Sequence, residues 1–281
     1  MRYSTRACAM REILRHPTGF VGATLLGLVL IAALFGPVLA PYDPQQFHPI
    51  ARLQGPSAAH WLGTDQFGRD VLSRILYGAR ATTAFGVFAT LIGGATGAAI
   101  GITAGVLGRW VDSLIMRLVD GLLAVPDLLF TLLIVTMLGG GAGYAMLAVA
   151  VAFTPGMARI ARSAVLSVRT REFVQAAVAR GESRLYIMVA EVLPNSVGPL
   201  IVEATIRVSF AIMLGATLGF LGLGAQPPST EWGLMIAEAR QFMFRNPWCV
   251  AAPGVAIAIT ALGFNLFGDA LRDLIDPRGQ R

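Results

Sequence analysis

ATTAFGVFATLIGGATGAAIGITAGVL, residues 81–107, contains no Asp, Glu, Lys, Arg or His. A hydrocarbon core about 30 Å thick is crossed by roughly 20 apolar helical residues, so this run is long enough to span a bilayer. Within it Gly93, Gly97, Gly101 and Gly105 recur in four-residue steps and trace one slowly winding stripe on a helix. Residues without side chains let a second backbone approach closely, which is how helices gain dispersion contacts where burial in lipid gives no driving force. The stripe therefore predicts helix packing rather than chemistry.

Further apolar runs occupy 19–40, 118–138, 144–158, 197–222 and 248–267, which predicts an all-α integral membrane protein of about six transmembrane helices. The composition agrees: 55% of residues are hydrophobic, 14% are charged, and the mean hydropathy is +0.66. Residues 1–18 carry Arg2, Arg6, Arg11 and Arg15 and look like the basic start of a signal peptide. The apolar run that follows is longer than a cleaved one, so a retained first helix is expected. Gly139, Gly140 and Gly141 join the third and fourth spans by a tight external turn, and Pro126, Pro155 and Pro253 interrupt three spans as candidate hinges.

All 22 basic residues are Arg. Without Lys the chain has no phosphate-binding loop and no Schiff-base amine, so any ATP hydrolysis, with its Mg, must come from a partner and no cofactor is expected on this chain. The Arg residues concentrate in 1–18, 159–195, 271–281 and around Arg109 and Arg117, against fewer in 41–80 and 223–247, which predicts both termini in the cytoplasm. The net charge of +6 is then a matter of orientation in the membrane, not of nucleic-acid binding. Cys8 and Cys249 fall on opposite sides and cannot bridge. His16, His48 and His60 lie outside the spans, and His48 and His60 lack the carboxylate or thiol company of a metal site. No Ser–His, His-rich or paired-carboxylate arrangement lies inside a span, so no catalytic residue is expected. The periplasmic loop 41–80 turns helical after Thr64 or Asp65 as N-cap, with Val71, Leu72, Ile75 and Leu76 on one face. In the second loop, 223–247, residues 231–244 form an amphipathic stretch, with Trp232 and Trp248 as interfacial anchors.

The cytoplasmic loop 159–195 is the most informative segment. Residues 171–181, REFVQAAVARG, read as a short helix with Phe173, Ala176, Ala177 and Arg180 at three- and four-residue spacing, closed by Gly181; a second helix follows from 183 to 192, and Pro194 opens the fifth span. A knob of small residues and one aromatic suits docking into a groove of another protein. The segment resembles the EAA loop of ATP-binding-cassette importer permeases, with Gln175, Ala176, Ala177, Gly181, Leu193, Pro194 and Asn195 in the pattern's places and Gln175 where the leading Glu stands. The resemblance extends through His60 to Asp65, Gly68 to Arg74, Phe220 to Gly224, Trp232-Gly233, Asn265-Leu266, Gly268-Asp269, Leu271 to Asp273 and Asp276-Pro277, all similar to the C-type permease subunit of dipeptide, oligopeptide and nickel importers.

That resemblance implies a type I importer permease fold within 81–270, a homologous second permease, two cytoplasmic ATP-binding subunits and an external solute-binding protein. It also implies that Glu172, Phe173, Gln175, Ala176, Ala177, Arg180 and Gly181 couple to an ATPase. Dipeptides, longer peptides, glutathione and nickel or its chelates are carried by similar permeases. Glu203 and Arg207 share a face of the fifth span and can pair, either along a translocation path or as a structural ion pair; Arg117 with Asp120, and Asp127 beside Pro126, lie nearer helix ends. A proton-coupled secondary transporter with Asp120, Asp127 and Glu203 as relays is the alternative of a different class.

Overall fold

The computed structural model describes residues 17–275. Cys8, His16, the Arg cluster of 1–16 and Asp276-Pro277 therefore lie outside the described residues. Within them the chain is almost wholly helical, and its only extended pairing is an isolated bridge between Thr64 and Asp70.

Five helices are long and apolar enough to cross a membrane, and a sixth span is obtained by counting a bent pair. They are α1 (Pro17–Leu39), α2 (Val71–Leu107), the pair α3 (Arg109–Leu123) and α4 (Asp127–Leu138), α5 (Ala142–Arg169), α7 (Leu193–Phe220) and α9 (Trp248–Ile275). Two shorter helices, α6 (Glu172–Ala179) and α8 (Trp232–Ala239), sit in the connections at opposite ends of the bundle. Leu34, Val38 and Leu129 point outward and stay more than half exposed, as they must where the surrounding solvent is hydrocarbon.

The boundaries depart from the sequence expectation in a consistent direction, because the helices outrun their apolar cores. Residues 71–80, expected as a separate amphipathic helix, continue without a break into the second span. The N-cap is Asp70, whose carboxylate accepts from the Ser73 N–H at 2.8 Å, and not Thr64 or Asp65. The fourth span continues from 158 to Arg169, so Arg159 and Arg162 belong to a helix and not to the loop. The sixth reaches Ile275. Pro155 and Pro253 lie inside continuous helices, whereas the segment before Pro126 is a true break, with α3 and α4 meeting at 89°. Proline supplies no N–H and clashes with the preceding turn, so a break needs only that the freed carbonyls find another environment.

The turn between α4 and α5 needs its three glycines. Gly139, Gly140 and Gly141 have φ of +100°, +75° and +108°, in the region that side chains disfavour, and the Gly141 N–H reaches the Leu223 carbonyl at 3.0 Å.

The α2–α5 contact is the most extensive between any two helices of the bundle. A methyl group added at Gly93, Gly97 or Gly101 would overlap the carbonyls of Ala150, Thr154 and Ala158, and one at Gly105 would overlap the Val165 side chain. The first three glycines thus lie directly against the backbone of α5 and the fourth against the Val165 side chain. Three apolar clusters succeed one another along α2: Val71, Ala79, Trp232 and Met235; then Ala89, Val149, Phe153 and Leu218; then Ile102, Val165, Ala177 and Val192. They hold the two terminal connections to the bundle as well as the spans to one another.

Candidate functional site: a projecting loop, a membrane ion pair and an ionic clasp

At the end of the bundle beyond Arg169, α6 stands off the long helices. Gly181 closes it with φ +79°, and the Glu182 N–H returns to the Ala177 carbonyl at 3.2 Å. This 6→1 closure satisfies a carbonyl that the helix end would otherwise leave orphaned. Ser183 then caps a further turn through Tyr186 N–H, and Ile187–Val192 winds as a π-helix straight into α7. The second loop helix and the fifth span are therefore one continuous rod, and Pro194 sits in its first α-helical turn without interrupting it.

The orientation of α6 corrects one expectation. Ala177 was grouped with the docking face, yet it is fully buried, as is Val174, against Ile187, Val192 and Val165. The solvent-facing side consists of Phe173, Gln175, Ala176, Val178 and Arg180, with Val178 60% exposed. Leu185 and Tyr186 of the next turn are exposed as well, so the projecting loop carries a connected apolar surface with Glu172 and Arg180 at its edge. The Arg180–Glu182 pair, at 3.6 Å and largely exposed, contributes little to holding it.

In the middle of α7, Arg207 Nε lies 2.8 Å from Glu203 Oε1, an ion pair between residues one helical turn apart. The guanidinium lies over the Phe153 ring at 5.2 Å and against Gly156 of α5, where any side chain would collide with it. A charge pair at membrane depth is costly unless paired and packed, and here an aromatic face and a glycine notch supply the packing. Asp120, expected beside Arg117, is instead bonded to Arg159 at 2.5 Å, and Asp112 takes Arg162 in a two-point contact at 2.5 and 2.6 Å. Both pairs tie α3 to the inner extension of α5. Asp127 is the first residue of α4 and is exposed.

The opposite end holds a network that sequence spacing did not reveal. Asp65 Oδ2 accepts from Arg69 Nε and Arg74 Nη1, both at 2.6 Å, and Glu238 Oε2 accepts from the same two guanidinium groups at 3.0 and 3.1 Å. Asp65 Oδ1 also takes the backbone N–H groups of Phe67 and Arg69. Arg74 is 2% exposed, so this is a buried four-membered clasp between the first outer connection and α8. Around it His60 Nδ1 contacts Asp70 at 2.9 Å, Trp232 Nε1 donates to the Ile75 carbonyl, and Asn246 Nδ2 and Cys249 Sγ both reach the Thr64 carbonyl. The partner on α8 lies 164 residues beyond Arg74, a separation at which sequence spacing carries no signal.

The comparisons with known proteins agree with this architecture. The family model described as binding-protein-dependent transport system inner membrane component matches residues 97–281, and that of the N-terminal TM domain of oligopeptide transport permease C matches residues 6–56. The dipeptide transport system permease protein DppC of Alkalihalophilus pseudofirmus is 43% identical over 270 residues, covering 96% of this chain and 89% of the relative. The probable D,D-dipeptide transport system permease protein DdpC of Escherichia coli is 44% identical over 262 residues, 93% of this chain and 88% of the relative. The glutathione transport system permease protein GsiD of Pectobacterium atrosepticum is 41% identical over 270 residues, 95% and 89% of the two chains. Among solved structures, an inward-facing MetNI methionine ABC transporter superposes with a TM-score of 0.60 at 19% identity, covering 72% of this chain and 96% of that one, a likeness of fold.

Proposed function

This chain belongs to the family of binding-protein-dependent transport system inner membrane components, and from that premise we propose that it carries dipeptides or similar short peptides inward as one permease of an ATP-driven importer. The class is that of an ABC importer permease, a multi-pass membrane subunit and not an ATPase. Support for a peptide solute comes from relatives named as dipeptide permeases at 43% and 44% identity. A glutathione permease at 41% identity supports a second reading, in which the solute is the tripeptide glutathione.

The observation that carries the mechanism is the projecting loop. A chain without Lys has no phosphate-binding loop of its own, so its energy must enter through a contact with a nucleotide-binding partner. The apolar surface of Phe173, Ala176, Val178 and Leu185 suits such a contact, and on this reading the end of the bundle that carries it faces the cytoplasm. ATP and Mg would reside in two partner subunits, a second permease would complete the pore, and a solute-binding protein would deliver the solute from outside. The loop runs directly into α7, so displacement of α6 by a closing ATPase moves the helix that bears Glu203 and Arg207. We assign that pair to the translocation path, since it sits on the span that the loop drives. For ATP to bias the permease, the loop must contact its partner differently in the two states.

The test is uptake in proteoliposomes containing this chain, its partner permease, the ATP-binding subunits and the binding protein. Dipeptide accumulation that requires internal ATP and persists without an ion gradient is the expected result. Accumulation driven by a proton gradient without the ATP-binding subunits would overturn the reading in favour of a secondary transporter. Accumulation of glutathione in preference to Ala-Phe would select the second reading.

A further inference from the structure

Between α2, α5 and α7, at the end of the bundle opposite the projecting loop, lies a cavity of about 250 Å³. Its walls are mainly apolar and include Phe85, Phe88, Ala142, Met146 and Ala225; Glu231 is the one acidic residue of the lining. Glu231 is 7% exposed, and its oxygens accept the N–H groups of Gly233 and Leu234, each at 2.9 Å, which caps α8. Among the described residues no Arg or His pairs with it. Burial holds its acid form above the ordinary carboxylate range, and the two N–H groups only partly offset this.

A buried acid that needed only to cap a helix could have been a Ser, Thr or Asp facing solvent. Placed instead against an apolar chamber without a countercharge, each carboxylate oxygen retains lone-pair capacity beyond the one N–H it accepts. The group that relieves such a site is a cation able to donate hydrogen bonds while carrying apolar bulk that fills the chamber. Resting on the peptide-importer reading above, we propose that this cavity is a binding station for the N-terminal residue of an incoming peptide. Glu231 takes the α-ammonium, and the Phe85, Phe88 and Met146 walls take an apolar side chain. The chamber holds about one residue, so selectivity here is for a free amine on a small apolar residue and not for peptide length. Its position at the far end from the ATPase-facing loop places it where solute first enters.

The experiment is initial uptake of Ala-Phe by the complete reconstituted importer at saturating binding protein, for the wild type, Glu231→Gln, Glu231→Asp and Ala84→Leu. Ala84 also lines the chamber, so leucine there narrows the space and leaves the Glu231 cap in place. Loss of the charge-assisted contact is expected to reduce uptake by Glu231→Gln about tenfold or more. Glu231→Asp should recover part of it, and Ala84→Leu should lose uptake although its thermal midpoint is unchanged. Uptake by Glu231→Gln within twofold of wild type would overturn the proposal. So would equal losses in Glu231→Gln and Glu231→Asp alongside normal uptake by Ala84→Leu, the pattern of a helix cap alone. If the wild-type complex moves no Ala-Phe while moving another solute with ATP, the peptide assignment itself fails and this station falls with it.

Discussion

Asp65→Asn is the substitution that most directly tests how the end of the molecule bearing α8 is held. Asn keeps the volume and can still accept the Phe67 and Arg69 N–H bonds through its oxygen. In place of Oδ2, however, it presents an NH₂ group to Arg69 and Arg74, which now bond to that atom at 2.6 Å. The clasp changes from two cations and two anions to two cations and one anion, at a site where Arg74 is 2% exposed. Breaking a buried pair by removing one partner costs roughly 3–5 kcal/mol, because it leaves an uncompensated buried charge. For chains of this size each kcal/mol is about 2–4 °C in thermal midpoint, so a fall of roughly 6–20 °C is expected. Cys249 supplies the reporter, since its buried thiol lies 3.1 Å from the Thr64 carbonyl in the same network. In a Cys8→Ser background, a thiol-reactive fluorophore reads unfolding of the detergent-solubilised chain through Cys249 alone. The control is Asp120→Asn, whose pair with Arg159 is more than half exposed and should be worth about 1 kcal/mol or less. Equal midpoints for the two variants would refute the reasoning that burial, and not the number of ion pairs, sets the value of the clasp.

Gly101→Leu drives a side chain into the Ala158 carbonyl and should prevent α2 from closing on α5, seen as loss of monodisperse protein in size-exclusion chromatography; Gly121→Ala, at a position with open space, should behave as wild type. Val178→Glu alters only the exposed face of α6, so the chain should fold with an unchanged midpoint while ATP-dependent uptake falls; undiminished uptake would remove α6 from the ATPase contact. Ala177→Glu places a carboxylate in a fully buried position and should lower the thermal midpoint itself by several degrees. Burial raises the pKa of Glu231 in the folded state, so its contribution to stability is full below the ordinary glutamate value of 4.5 and is lost as pH rises through the folded value. Across pH 4 to 8 the midpoint of the wild type should therefore decline relative to Glu231→Gln, and parallel curves would contradict the cause given.

The spans were legible because each is a long, mainly apolar run with few charges or none, and lipid leaves the backbone no cheaper way across than a helix. Their ends were not. Arg74 and Arg80 interrupt the apolar pattern ahead of 81, yet the helix runs through them because Arg74 is neutralised by Asp65 and Glu238, a pairing set by tertiary structure. Arg159 and Arg162 likewise looked like loop and are helix, their charges met by Asp120 and Asp112 on α3. The face of α6 was half legible. Residues 173, 176, 177 and 180 share a side, but which edge of that side turns inward depends on Ile187 and Val192 in the following segment. The break at Pro126 announced itself by residue type, whereas its 89° angle follows from how α3 and α4 each lie on α5. Glu231 gave no periodic signal, since it stands alone ahead of a short helix.

Helix α2 runs unbroken for 37 residues, or about 55 Å at 1.5 Å per residue, nearly twice the thickness of the hydrocarbon it crosses. One extremity is fastened beside Arg74, and the glycine face bears on α5 from Gly93 to Gly105, in the half toward Leu107, so the helix is a stiff rod gripped in both halves. A swing of about 5° would carry one tip roughly 5 Å relative to the other, by the same rise per residue. Motion imposed at one surface then arrives at the other as rigid tilt, with no relay of side-chain rearrangements in between.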